Sequence, residues 1–144
     1  MIRMALIAEV FAVEKDDFVS AGEASAKIKR TLKKLGVDST LLRRISVCAY
    51  EVELNLVIHS LGGTIDFKVT AEDVELLIRD RGPGIDDLDL AMREGWSTAP
   101  ETVRMMGFGA GMGLPNMKRN ADFFDIKSEV GVGTEILMKF NLKK

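Results

Sequence analysis

Apolar residues change their period along this 144-residue chain, and that change limits the possible fold more than any single motif does. From 17 to 35 they recur at helical spacing through Phe18, Ala21, Ala24 (or Ala26), Ile28, Leu32 and Leu35, and Gly36 stands where a C-terminal cap belongs. A second helix is predicted from about Thr40 to Ser60. Ser39 is its cap, Leu42, Ile45, Ala49, Val52 and Leu56 form one face, and Gly62 and Gly63 end it. Residues 64–70 and 73–80 then read as strands joined by a turn at Ala71 and Glu72. Residues 2–13 give a first strand, and a short helix is expected around 87–93. A helix at 114–122, a strand at 123–130, a Gly-Val-Gly turn and a strand at 134–142 close the chain. The order β, α, α, β, β, irregular segment, α, β, β predicts a two-layer α/β sandwich: a mostly antiparallel mixed sheet covered on one face by helices.

A chain of 144 residues is the size of one domain, expected here over 1–144, and buries roughly 70% of its unfolded surface. Its 47% hydrophobic and 29% charged residues fit a globular protein, and no segment approaches the ~20 apolar residues of a membrane span. The single cysteine, Cys48, cannot form an internal disulfide and points to a reducing compartment, so a cytoplasmic location is expected. A formal charge of −2 argues against direct nucleic-acid binding, which rests on a basic face.

The run GFGAGMG at 107–113 places a glycine at every second position, directly before a helix. Alternate glycines weaken a strand, and interior glycines cost a helix roughly 0.8–1 kcal/mol each. The run therefore reads as a loop of positive φ angles that lets a ligand approach its backbone. The helix start behind it supplies free N–H groups suited to phosphate. Taken alone, a plain flexible loop satisfies the same pattern.

Glu51, Asn55 and His59 are spaced by four and line one stripe of the second helix. Such a stripe is what a half-exposed helix flank presents. It is also what would aim a carboxylate and a hard amide oxygen at a metal-bound phosphate. Asp80 ends a strand in D-R-G-P-G, which makes a turn and equally a carboxylate able to accept from a purine amino group, with Gly82 and Gly84 letting the ring lie on the backbone. G-V-G-T at 131–134 is by itself a hairpin turn.

In register, E-x-x-x-N on a helix, D-x-G-x-G after a strand, G-x-G-x-G before a helix and G-x-G-T in a hairpin resemble the GHKL ATPase superfamily of gyrase, histidine kinases and mismatch-repair ATPases, from about residue 17 to the end. The resemblance implies its Bergerat ATP-binding fold, bound ATP and Mg2+. Asn55 matches the magnesium-binding asparagine and Glu51 the catalytic carboxylate base. Asp80 matches the adenine-binding aspartate, with Gly82 and Gly84 shaping the pocket and Thr134 supporting the aspartate through a water. Gly107, Gly109, Gly111 and Gly113 would be the hinge of an ATP lid at about 95–113, with the helix from Leu114 pointing at the phosphates and Lys118 or Arg119 within their reach.

Size and the place of the only histidine, His59, then favour the small bacterial anti-sigma-factor and switch-kinase group. E-G-W-S-T at 94–98 resembles the switch-kinase branch, although the residues from Ala99 to Phe108 are longer than that branch leads one to expect. The resemblance implies a serine/threonine protein kinase that transfers the γ-phosphate of MgATP to a hydroxyl on a STAS-domain partner to regulate transcription. A sigma factor or other regulator is a further expected partner, and homodimerisation is common among relatives. The alternative is an ATP-gated binding module of the anti-sigma type with little or no kinase activity.

Overall fold

A computed structural model gives the structure, which describes residues 6–58, 62–82 and 113–142. Five strands, β1 (Ile7–Val13), β2 (Gly63–Val69), β3 (Asp73–Asp80), β4 (Phe123–Glu129) and β5 (Gly133–Asn141), form one sheet in the order β1-β2-β3-β5-β4. Every pairing among these strands is antiparallel. The helices among the described residues are α1 (Glu23–Lys34), α2 (Ser39–Ile58) and α3 (Gly113–Asn120). The expected sandwich is therefore observed.

Strand alternation decides which face of the sheet is covered. Ile65, Phe67 and Val69 on β2, Val74, Leu76 and Ile78 on β3, and Ile136, Met138 and Phe140 on β5 are all buried. Cross-strand rows such as Phe67, Leu76 and Met138 join Ile45, Ala49, Val52 and Leu56 of α2 in one core, and these are the residues its spacing marks as the inner face. Charges alternate with them on the outer face, where Arg79 pairs with Glu135 at 3.5 Å.

Two helix starts differ from expectation. The helix expected over 17–35 begins only at Glu23, because Asp17 Oδ1 accepts from the Ser20 N–H at 3.1 Å and Gly22 is left-handed at φ 99. A side chain that satisfies nearby backbone competes with the helix ladder, and a left-handed residue interrupts it. Phe18 and Ala21 still pack against the core from this turn. On α2 the cap is Asp38, not Ser39: its Oδ2 accepts from the Thr40 and Leu41 N–H groups at 3.2 and 3.3 Å. Gly63 does not end α2 but opens β2. The helix expected around 87–93 lies outside the described residues.

Candidate functional site

Register brings two of the sequence motifs together. β3 and β5 pair Arg79 with Glu135, so the next residues, Asp80 and Thr134, lie side by side at the strand ends. The Thr134 N–H donates to Asp80 Oδ1 at 2.6 Å. Thr134 thus contacts Asp80 directly through its main chain. The Thr134 hydroxyl instead shares a 2.8 Å hydrogen bond with Ser128 Oγ. The Gly82 N–H donates to the Val132 carbonyl at 2.8 Å, which ties the chain just after Asp80 to the β4–β5 turn.

Asp80 sits between glycines on both neighbouring strands. Gly63 pairs with it from β2, and a Cβ there would overlap the Arg79 carbonyl oxygen. Gly133, at φ 149, approaches from β5, and a Cβ there would overlap the Asp80 carbonyl oxygen and come within 3.0 Å of Oδ1. At Gly82 the nearest atom a Cβ would meet is the Val132 carbonyl oxygen at 3.7 Å, an ordinary contact that leaves room beside it. Burial pushes the Asp80 carboxyl above the usual carboxylate range, partly offset by the Thr134 N–H. The result is a half-buried acceptor held through Oδ1.

A second cluster lies where α2 and α3 pack antiparallel. Arg44 Nε donates to the Asn120 carbonyl at 2.9 Å, Cys48 Sγ lies 3.8 Å from the Met117 carbonyl, and the Asn116 side chain lies near Glu51. One more turn along α2 reaches Asn55, toward the end from which α3 starts at Gly113, where N–H groups have no helical partner. Burial raises the Glu51 carboxyl from the usual range, and Asn116 pulls it partly back. Burial also pushes the Cys48 thiol to about 12, with Arg44 lowering it and Glu51 raising it.

Only four residues separate the end of α2 from β2, whose first residue pairs with Asp80. Connectivity therefore places Asn55, Asp80 and the start of α3 at one end of the sandwich. Leu114 is buried in the core at that helix start. Lys118 and Arg119 lie in the last turn of α3, not the first, so they flank the end that carries the free carbonyls. Gly84, Gly107, Gly109, Gly111 and His59 lie outside the described residues, as do Trp96, Ser97 and Thr98.

Glu53 escapes the sequence reading. It is 2% exposed, and its two oxygens accept from the Ala24 and Ser25 N–H groups at 3.2 and 3.0 Å, capping α1, which has no side-chain cap of its own. A lone charge within the apolar run 52–58 is the available signal, since a buried carboxylate requires partners. The close approach of Gly133 to Asp80 and the nearness of Asn116 to Glu51 escape it as well.

The family described as histidine kinase-, DNA gyrase B- and HSP90-like ATPase matches residues 41–144, a span that includes Glu51, Asn55, Asp80 and Thr134. The chain belongs to this family. Membership makes ATP the nucleotide to fit against the site. The chain is 31% identical over 124 residues to the serine/threonine-protein kinase RsbT of Bacillus subtilis, covering 83% of this chain and 85% of that one. It is also 30% identical over 133 residues to the anti-sigma F factor of Geobacillus kaustophilus, covering 87% and 88%. The anti-sigma F factor of Bacillus licheniformis is 33% identical over 134 residues, covering 88% of each chain.

Among the described residues no helix is long and apolar enough to cross a membrane, and no three His, Cys, Asp or Glu side chains cluster as a metal site.

Proposed function

We propose that the protein is an ATP-dependent serine/threonine protein kinase that phosphorylates a hydroxyl on a STAS-domain regulatory partner in the cytoplasm and so acts on transcription. One observation carries this reading furthest. Glu51 is a half-buried carboxylate on α2, one helical turn before Asn55, in the helix that runs to the end of the sandwich where Asp80 also lies. A binding module has no use for a half-buried carboxylate there, whereas phosphoryl transfer to a hydroxyl does.

In this mechanism Asp80 accepts from the adenine amino group, with Gly63, Gly82 and Gly133 keeping side chains off that edge. Asn55 supplies the protein's ligand to Mg2+. A single hard amide oxygen fits that ion, which takes most of its ligands from phosphate and water and, when bound, neutralises charge on the phosphate oxygens. The α3 N–H groups face the phosphates. Glu51 takes the proton of the partner's hydroxyl as its oxygen bonds to the γ-phosphorus and ADP departs. Gly84, Gly107, Gly109, Gly111 and Gly113 are assigned to the pocket and lid by family pattern.

Similarity to two anti-sigma F factors favours a second reading, an ATP-gated module that sequesters its partner. Incubating a soluble extract of the host with γ-labelled MgATP separates the two. A phosphoserine or phosphothreonine band that appears with wild type and not with Glu51→Gln supports the kinase. Nucleotide binding without any wild-type-dependent band supports the module.

A further inference from the structure

Strand β1 is an edge of the sheet, and among the described residues its main chain pairs with β2 alone. Such an edge offers a row of free N–H and C=O groups, which sheets commonly blunt with lysine, proline or a bulge. β1 has neither lysine nor proline, and its register with β2 is continuous. Phe11 and Val13 pack on the core, so alternation turns Ala8, Val10 and Ala12 to the outer face, where Val10 is 67% exposed.

A groove of about 280 Å³ runs along this edge. Five consecutive residues, Val10 to Glu14, line it; their side chains point alternately to opposite faces, so they meet in one groove only along the main-chain edge. Across from them stand Ala21 and, on α1, Ala24 and Lys27, with Val57 of α2 also in the lining. The rim is acidic. Glu14, Asp17 and Glu23 line the groove, and Glu9 is exposed in the same row of β1 as Phe11. None of these four carboxylates forms an ion pair among the described residues, and Lys27 is the one cation in the lining. Glu53 also lines it, with both oxygens engaged by the Ala24 and Ser25 N–H groups. Val13, Gly63 and Asp80 form one cross-strand row, so this end of the groove lies two strand spacings, about 10 Å, from Asp80.

We propose that the groove docks an extended basic segment of a protein partner, which adds to the free edge of β1 as a further strand. Main-chain pairing supplies the affinity, apolar side chains on one face of the segment cover Val10 and Ala12, and lysine or arginine side chains on the other meet the acidic rim. A second copy of the chain fits less well, because pairing β1 with β1 sets like-charged rims against each other. The docking is independent of the role of Glu51: it brings a partner beside the nucleotide end whatever chemistry follows.

The test uses the whole chain and a fluorescent peptide in which valine and lysine alternate over about ten residues, with binding read by anisotropy at low salt. Two more peptides carry N-methyl groups, one on the valines and one on the lysines, and so block opposite edges of the strand. One methylated set is expected to lose at least about tenfold in affinity while the other stays within about threefold. Glu14→Lys combined with Glu23→Lys, both exposed, is expected to weaken the unmethylated peptide at least about tenfold, and a peptide with glutamate in place of lysine is expected not to bind. No binding of the lysine peptide, equal affinity for its glutamate counterpart, or equal tolerance of both methylated sets overturns the proposal. So does a dimer of the chain that the peptide leaves intact. Label transfer is not read in this experiment, so its failure leaves the assignment of Glu51 standing.

Discussion

The Thr134 N–H donates to Asp80 Oδ1 at 2.6 Å, so the end of β3 is tied to the start of β5 at the residue proposed to read the nucleobase. A main-chain donor cannot be removed by changing the Thr134 side chain. Thr134→Val is therefore expected to leave nucleotide affinity within about tenfold of wild type, reflecting only the loss of the Ser128 partner, when MgADP binding is measured by calorimetry.

Asp80→Asn keeps the acceptor for Thr134 and removes the charge. The folded carboxyl titrates above its unfolded value, so its contribution to stability is fully present below the unfolded value and is lost as pH rises through the folded one. At pH 7 the ionised group is a net cost to the fold. Thermal unfolding should show Asp80→Asn at least as stable as wild type at pH 7, with the difference vanishing below about pH 3.8. Nucleotide affinity should meanwhile fall by at least about a hundredfold.

Gly133 has no room for a side chain against Asp80. Gly133→Ala should destabilise the protein by more than about 1 kcal/mol in urea unfolding and weaken MgADP binding, because strand end and carboxylate move together. Gly131→Ala is the control for space: at φ 81 it is strained, but a Cβ there meets nothing within 4 Å, so nucleotide binding should persist.

Glu53 caps α1 from another helix. Glu53→Ala is expected to cost about 2–4 kcal/mol, since two buried N–H groups lose a charged acceptor. Urea unfolding measures this directly, and Glu53→Gln should recover part of the loss.

How much of the molecule is legible in its sequence follows from the range of the forces involved. Strand β3 is readable at 73–80 with its observed ends, because period-2 alternation and flanking turn residues are local signals. The covered face of α2 is equally plain in the spacing of Ile45, Ala49, Val52 and Leu56. The start of α1 is not, because the turn at Asp17 and the left-handed Gly22 outweigh apolar periodicity there. At the site, the pairing of Asp80 with Thr134 is foreshadowed by two motifs, but its main-chain form depends on the β3–β5 register. Glu53 reaches the Ala24 and Ser25 N–H groups, Gly133 crowds Asp80, and Asn116 lies near Glu51. Each of these partners is distant along the chain and emerges only once strand register and helix docking are known.

The division of labour between Glu51 and Asp80 is tested most directly by measuring MgATP affinity and γ-label transfer side by side in wild type, Glu51→Gln and Asp80→Asn. A split is expected: Glu51→Gln binds MgATP within about threefold of wild type yet transfers at least about a hundredfold more slowly, whereas Asp80→Asn loses binding and transfer together. Transfer at the wild-type rate by Glu51→Gln, or wild-type affinity in Asp80→Asn, would contradict it.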